Sequence, residues 1–151
     1  MNTLIAFLHH IAFVVIMLIL SAEMLMLKQP LTLASARKIQ IYDAIYGVSA
    51  ILILIIGGLR VMYFEKGADY YLQSAPFIAK MILFIIVGLI SIHPTVTFIK
   101  WGKSLKQGIF PTLTDAQNRK LRMIIHVELT LLALIILCAA MMAKGIGYFG
   151  S

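Results

Sequence analysis

The sequence predicts an all-α integral membrane protein: four transmembrane helices in an up-down antiparallel bundle, with both termini outside. Three observations lead there. The composition is strongly apolar, the apolar residues fall into four long segments, and the basic residues gather in alternate connections. Of 151 residues, 62% are hydrophobic and 13% charged, where a soluble domain carries about 25% charged residues. The mean hydropathy is +0.99.

A helix needs about 20 mostly apolar residues to cross a hydrocarbon core of ~30 Å. Four segments meet that requirement, at about 3–27, 39–64, 75–99 and 118–143. The first is closed by Lys28 and Pro30. It has no basic leader and its apolar run exceeds the ~7–15 residues of a signal-peptide core, so it is expected to be retained as a span. The second follows "SARK" and ends at "YFEKG". The third opens on "SAPF", with Pro76 in a first turn that has no use for its missing N–H. The fourth ends at "AKG". Short connections make sequence neighbours antiparallel, and 1–151 reads as one domain without repeats.

Thirteen Lys and Arg against six Asp and Glu give a net charge of +7. Lys28, Arg37 and Lys38 lie between the first two spans, and Lys100, Lys103, Lys106, Arg119, Lys120 and Arg122 between the last two. The middle connection balances Lys66 against Glu65 and Asp69. The positive-inside rule therefore makes the first and third connections cytoplasmic. The basic excess follows from topology and contact with lipid, and no nucleic-acid partner is expected. Tyr63, Tyr70 and Tyr71 outside and Trp101 inside are placed for interfacial aromatic belts. Cys138 is the single cysteine, so no disulfide forms within the protein.

Ionisable side chains cost about 2.5–3.5 kcal/mol at the centre of a span, which makes each a functional candidate. His9, His10, Arg60 and Lys80 fall in an outer layer, the histidines about 10 Å below the surface at 1.5 Å per residue. Glu23, Asp43, His93, His126 and Glu128 fall in an inner layer. At about 100° per residue, His9 lies within about 40° of Glu23, and His10 about 140° away. If the polar stripes point inward, His9, Glu23, Arg60 and Lys80 converge, with His10 at the edge of that face. His126 and Glu128 cannot share a face.

Simpler roles are open to each: snorkelling to headgroups for Arg60 and Lys80, and neutralisation of Lys28, Arg37 or Lys38 for Glu23 and Asp43. An imidazole with two fixed cations suits haem, which needs an axial ligand and partners for its propionates. It also suits a quinone headgroup or another anionic, lipid-borne molecule.

The stretches "FLHH", "YDAIYGVSAILILIIGGLRVMYFEKG", "AKMILFIIVGLISIHPT" and "ELTLLALI" resemble the bacterial membrane family called domain of unknown function 2214, over nearly the whole length. "GLRVMYFEKG" is the most specific part. More distantly, the layout is similar to HemJ-type protoporphyrinogen oxidases and CopD-like membrane proteins. It differs from the HemJ type in having Trp101 as its single tryptophan and "GGLRV" in the second span. The HemJ likeness implies haem b bound through a first-span histidine, which falls on His9. It also carries a third-span lysine onto Lys80 and a fourth-span glutamate onto Glu128, favouring Glu128 over His126 as the inward residue.

The expectation is a bacterial inner-membrane protein binding b-type haem and moving electrons or hydrogen between a lipid-soluble substrate and a quinone. His9 or His10 would ligate iron, Arg60 and Lys80 would hold propionates, and Glu128 or Glu23 would relay protons. The alternatives are a non-catalytic transport or assembly subunit, homo-oligomeric through small residues such as Gly57, Gly58, Ala133, Ala139 and Ala140, and a copper-handling protein.

Overall fold

A computed structural model describes residues 2–64 and 68–150. Glu65 and Lys66, on which the expected charge balance of the middle connection rests, lie outside the described residues. The elements are α1 (Asn2–Lys28), α2 (Leu33–Leu59) running into a π-helical turn (Arg60–Phe64), a short α3 (Ala68–Leu72), α4 (Ala75–Lys106) and α5 (Asp115–Ala143). Each long helix is of a length and apolarity that can cross a membrane.

The helices outrun the expected spans because their ends are built from local signals. Helix α2 begins at Leu33 rather than 39, since Thr32 and Ser35 form a reciprocal capping box. Thr114 and Gln117 do the same for α5. Helix α4 has 32 residues, about 48 Å at 1.5 Å per residue, and so projects well beyond a ~30 Å hydrocarbon core. Two helices stop on glycine. The N–H of Gly108 bonds Leu105 and that of Ile109 bonds Ser104, while Gly145 and Ile146 bond Met142 and Met141. Both glycines have φ of +69°, the left-handed stop in which the last carbonyls find donors.

Packing follows a ring, α1–α2–α4–α5, with neighbours in contact and diagonal pairs apart. Buried positions repeat every three or four residues: Ala12, Ile16, Leu20, Glu23 and Leu27 on α1, and Leu121, Ile125, Glu128, Leu132 and Ile135 on α5. Most other large apolar side chains are exposed, among them Leu18, Ile51, Ile85 and Leu89, as a lipid-facing surface requires.

The two ends of the bundle differ. At the end carrying the first and third connections, Leu27, Ala36, Ile39, Phe98 and Ile125 are fully buried and form an apolar plug. Trp101 is 6% exposed there and packs edge-on to Phe98 at 5.0 Å, so it belongs to the core rather than to an interfacial belt. Polar side chains close the helix ends. Arg37 donates to the carbonyl of Leu105 at 3.0 Å, and Asn118 to that of Leu27 at 3.2 Å.

At the other end, the segment after α5 folds back over the bundle. Ala75 N–H donates to Gly147 and Phe149 N–H to Gln73, and Tyr148 stacks on Tyr70 at 4.6 Å. Gly147 has φ of +78°, and a Cβ there would lie 2.8 Å from Pro76 Cδ. Only glycine fits that position.

Candidate functional site

Beneath this folded-back segment the four helices enclose a cavity of about 640 Å³. Its wall brings together His9 of α1, Arg60 of the π-helical turn and Lys80 of α4, with Tyr70, Tyr71 and Phe77 as aromatic neighbours. Among the described residues the lining includes no acidic side chain. The convergence expected from helical phase is thus present for His9, Arg60 and Lys80. Glu23 shares the face of His9 but lies four turns along α1 and does not line the cavity.

His9 is half-buried, and its ring packs over Gly57 of α2. A Cβ at Gly57 would lie 3.2 Å from His9 Cε1, so glycine makes room for the imidazole. His9 Nδ1 is buried without a hydrogen-bond partner. His10 also lines the cavity but is exposed, and its Nδ1 is 2.6 Å from the carbonyl of Ala6 in its own helix. The ring nitrogen that His10 spends on its backbone is one fewer for a ligand. Lys80 Nζ sits 5.3 Å from the Phe77 ring centroid, a cation–π distance. Tyr71 is 7% exposed and packs against Phe77, so it is a cavity residue and not part of an aromatic belt. Ala139 and Ala140 line the same cavity; their smallness opens space there.

The second constellation is a layer of buried acids deeper in the bundle. Glu23, Asp43 and Glu128, on α1, α2 and α5, are 1%, 7% and 0% exposed and act on one another electrostatically. Glu23 Oε1 and both oxygens of Glu128 have no hydrogen-bond partner. Asp43 accepts a hydrogen bond from Thr95 of α4 at 2.8 Å. Asp43 and Glu23 are therefore interior groups and do not serve as surface counter-ions to the neighbouring lysines and arginine. Tyr46, also buried, joins this layer and pairs with Ser91 of α4.

His93 and His126 are exposed on the outside of α4 and α5, leaving Glu128 as the inward residue of α5. Tyr46 is a site residue that sequence reasoning does not consider, and Asp43, though placed in the inner layer, is left out of the expected proton relay. Their signal is their place in the buried series Ala36, Ile39, Asp43, Tyr46 and Ile53.

Chemically, the cavity offers two imidazoles, His9 and His10, and two cations in an apolar, aromatic wall. Among the described residues no three His, Cys, Asp or Glu side chains lie close enough to share a metal ion. The wall suits an amphipathic ligand with negative charge better than a bare ion.

No curated protein and no solved structure matches the sequence. The family model described as "Predicted membrane protein (DUF2214)" matches residues 1–147, and the chain belongs to that family.

Proposed function

We propose that the cavity binds b-type haem and that the protein carries electrons or hydrogen between a lipid-soluble donor and a quinone-like acceptor in the bacterial inner membrane. The observation that carries this reading is the meeting of His9, Arg60 and Lys80 in one cavity. The residues fit the group. His9 would ligate iron, held by the cradle that Gly57 leaves for its ring, with His10 as the alternative ligand. Arg60 and Lys80 would hold the two propionates, and Phe77 and Tyr71 would flank the macrocycle. When bound, haem supplies a one-electron couple tuned by its axial ligand and surroundings. The protein's own residues orient the imidazole, offset the negative charge and shield the site with the segment after α5. Glu128 and Glu23, buried without full hydrogen bonding, would take up or release the accompanying protons.

The basic collar supports an orientation in which the plugged end is cytoplasmic and the cavity end, with both termini, lies outside. Protein purified from haem-replete cells is expected to show a Soret band that shifts with dithionite. His9→Ala should abolish the band, and Arg60→Ala or Lys80→Ala should lower haem occupancy. No band in the wild type, or a full band in both His9→Ala and His10→Ala, would overturn the assignment.

A further inference from the structure

The His9 cavity is roofed at one end and floored at the other. Its roof is the segment after α5, tied to the start of α4 by the hydrogen bonds of Ala75 N–H to Gly147 and Phe149 N–H to Gln73. Tyr148 adds its stack on Tyr70 and a hydrogen bond to Gln73 Oε1 at 3.2 Å. The floor is apolar: Ala12, Ile16 and Leu20 of α1 and Leu132 of α5 are buried between the cavity and the plug. The side of the bundle remains.

Gln40 follows the inward-facing Ile39 on α2 and donates to the carbonyl of Phe98 on α4. That contact fixes the hand of the ring, because the flank of α2 one residue past its inward face turns toward α4. With right-handed helices alternating in direction around the ring, the same flanks of α1 and α5 turn toward each other. On α1 this flank carries His10, one residue past His9. On α5 it carries Ile136, Ala140 and Ala143, one residue past Ile135, Ala139 and Met142. His10, Ile136, Ala140 and Ala143 all line the cavity and are all exposed. The cavity therefore opens along the α1–α5 seam, beside the lipid-facing Phe7, Ile11 and Leu137.

Polarity along this opening runs in one order. Arg60 and Lys80 stand inside, with no acidic side chain among the described lining residues, and Ile136 and the alanines stand at the mouth. Cations in an apolar wall act on an anion more strongly than they would in water. Both cations are near the outer ends of their helices, and the seam leads from that level past Ile136 toward the bilayer centre. An amphiphile in its leaflet has the same order, with a charged head near the surface and an apolar body directed inward. We infer that the α1–α5 seam is a lateral entrance for an anionic amphiphile from the surrounding leaflet, its head received by Arg60 and Lys80 and its apolar body lodged against Ile136 and Ala140. This rests on the reading of the His9 cavity as a ligand site and deepens it. Haem, with two carboxylates on an apolar body, belongs to that class, as does a fatty acid, and the route is from lipid instead of water.

The test crosslinks diazirine-bearing palmitate to the full-length protein in nanodiscs of zwitterionic lipid, with adducts mapped by mass spectrometry. Adducts are expected on α1 and α5 along the seam. Excess palmitate should remove them, and hexadecanol, which lacks the charge, should not. Ala140→Trp and Ala143→Leu narrow the seam, and each should cut labelling at least ~10-fold with an unchanged circular dichroism spectrum. Ser74 and Tyr148 face each other as an antiparallel pair without mutual hydrogen bonds, about 4.5 Å apart at Cα, which is within disulfide range. Ser74→Cys with Tyr148→Cys, in a Cys138→Ala background, therefore locks the roof, and labelling should be equal with the disulfide closed and reduced. The inference is overturned if hexadecanol competes as well as palmitate, if both seam variants label as the wild type does, or if closing the disulfide stops labelling. Seam labelling in a protein without a Soret band would sink the haem assignment and leave this one standing; a Soret band without seam adducts would do the reverse.

Discussion

The two ends of the bundle solve opposite problems. At the plugged end, Leu27, Ala36, Ile39, Phe98 and Ile125 leave no accessible surface. There Arg37 and Asn118 satisfy the last carbonyls of α4 and α1. At the cavity end, the same four helices leave about 640 Å³ open. Glycine and alanine stand where larger side chains would fill it, and His9 keeps a buried nitrogen without a partner. Stability is concentrated where the helices meet the basic collar, and chemistry where packing is given up. A four-helix ring can hold both because each end has its own fastening. Two capping boxes and the donors Arg37 and Asn118 hold one end, and the folded-back segment holds the other.

This contrast sets an order of effects. The largest loss of stability should follow Phe98→Ala in the plug, about 3–5 kcal/mol for a buried aromatic truncated to alanine, read by reversible chemical denaturation. Ligand binding at the far end should survive in the fraction that stays folded; if binding falls more than folding does, the two ends are not independent. Next comes Gly147→Ala, which forces a side chain into a left-handed backbone and against Pro76. A cost of about 1–3 kcal/mol is expected. Because the folded-back segment covers the cavity, proteolysis after α5 should also speed up. A melting curve identical to that of the wild type would show that this fastening is dispensable.

Thr114→Ala removes the capping box of α5 and should cost about 1 kcal/mol, with no change in haem binding. The smallest effect is expected for Leu89→Ala, on the lipid-facing side of α4, within about 0.5 kcal/mol, the range usual for surface substitutions away from special features. A larger cost there would point to a second copy of this protein packed on that face.

Much of the candidate site is legible along the sequence. His9, Arg60 and Lys80 share a depth because span position fixes height, and they share an interior because about 100° per residue fixes phase. Asp43 is different. By helical phase it lies about 100° from Arg60 around α2, off a single inward stripe drawn through that residue. In the ring, however, α2 packs against both α1 and α4, so its inward face is wide enough to include Asp43, which meets Thr95 of α4. Trp101 and Tyr71 depart from the expected belts for a related reason. An aromatic residue near a span end fits an interface equally well in one dimension, and only the neighbours Phe98 and Phe77 draw these two inside.

By itself the sequence determined the membrane class, the four spans, the uneven placement of charge and the depth of every ionisable residue. These depend on hydropathy, length and rise per residue, all of which are properties of a single helix in lipid. The tertiary structure decided which helices are neighbours and how wide each inward face is. It also turned three carboxylates of the inner layer into the interior and left one end plugged and the other open. Those outcomes depend on the packing of helices far apart in the sequence, where a glycine at position 57 matters only because His9 stands across from it.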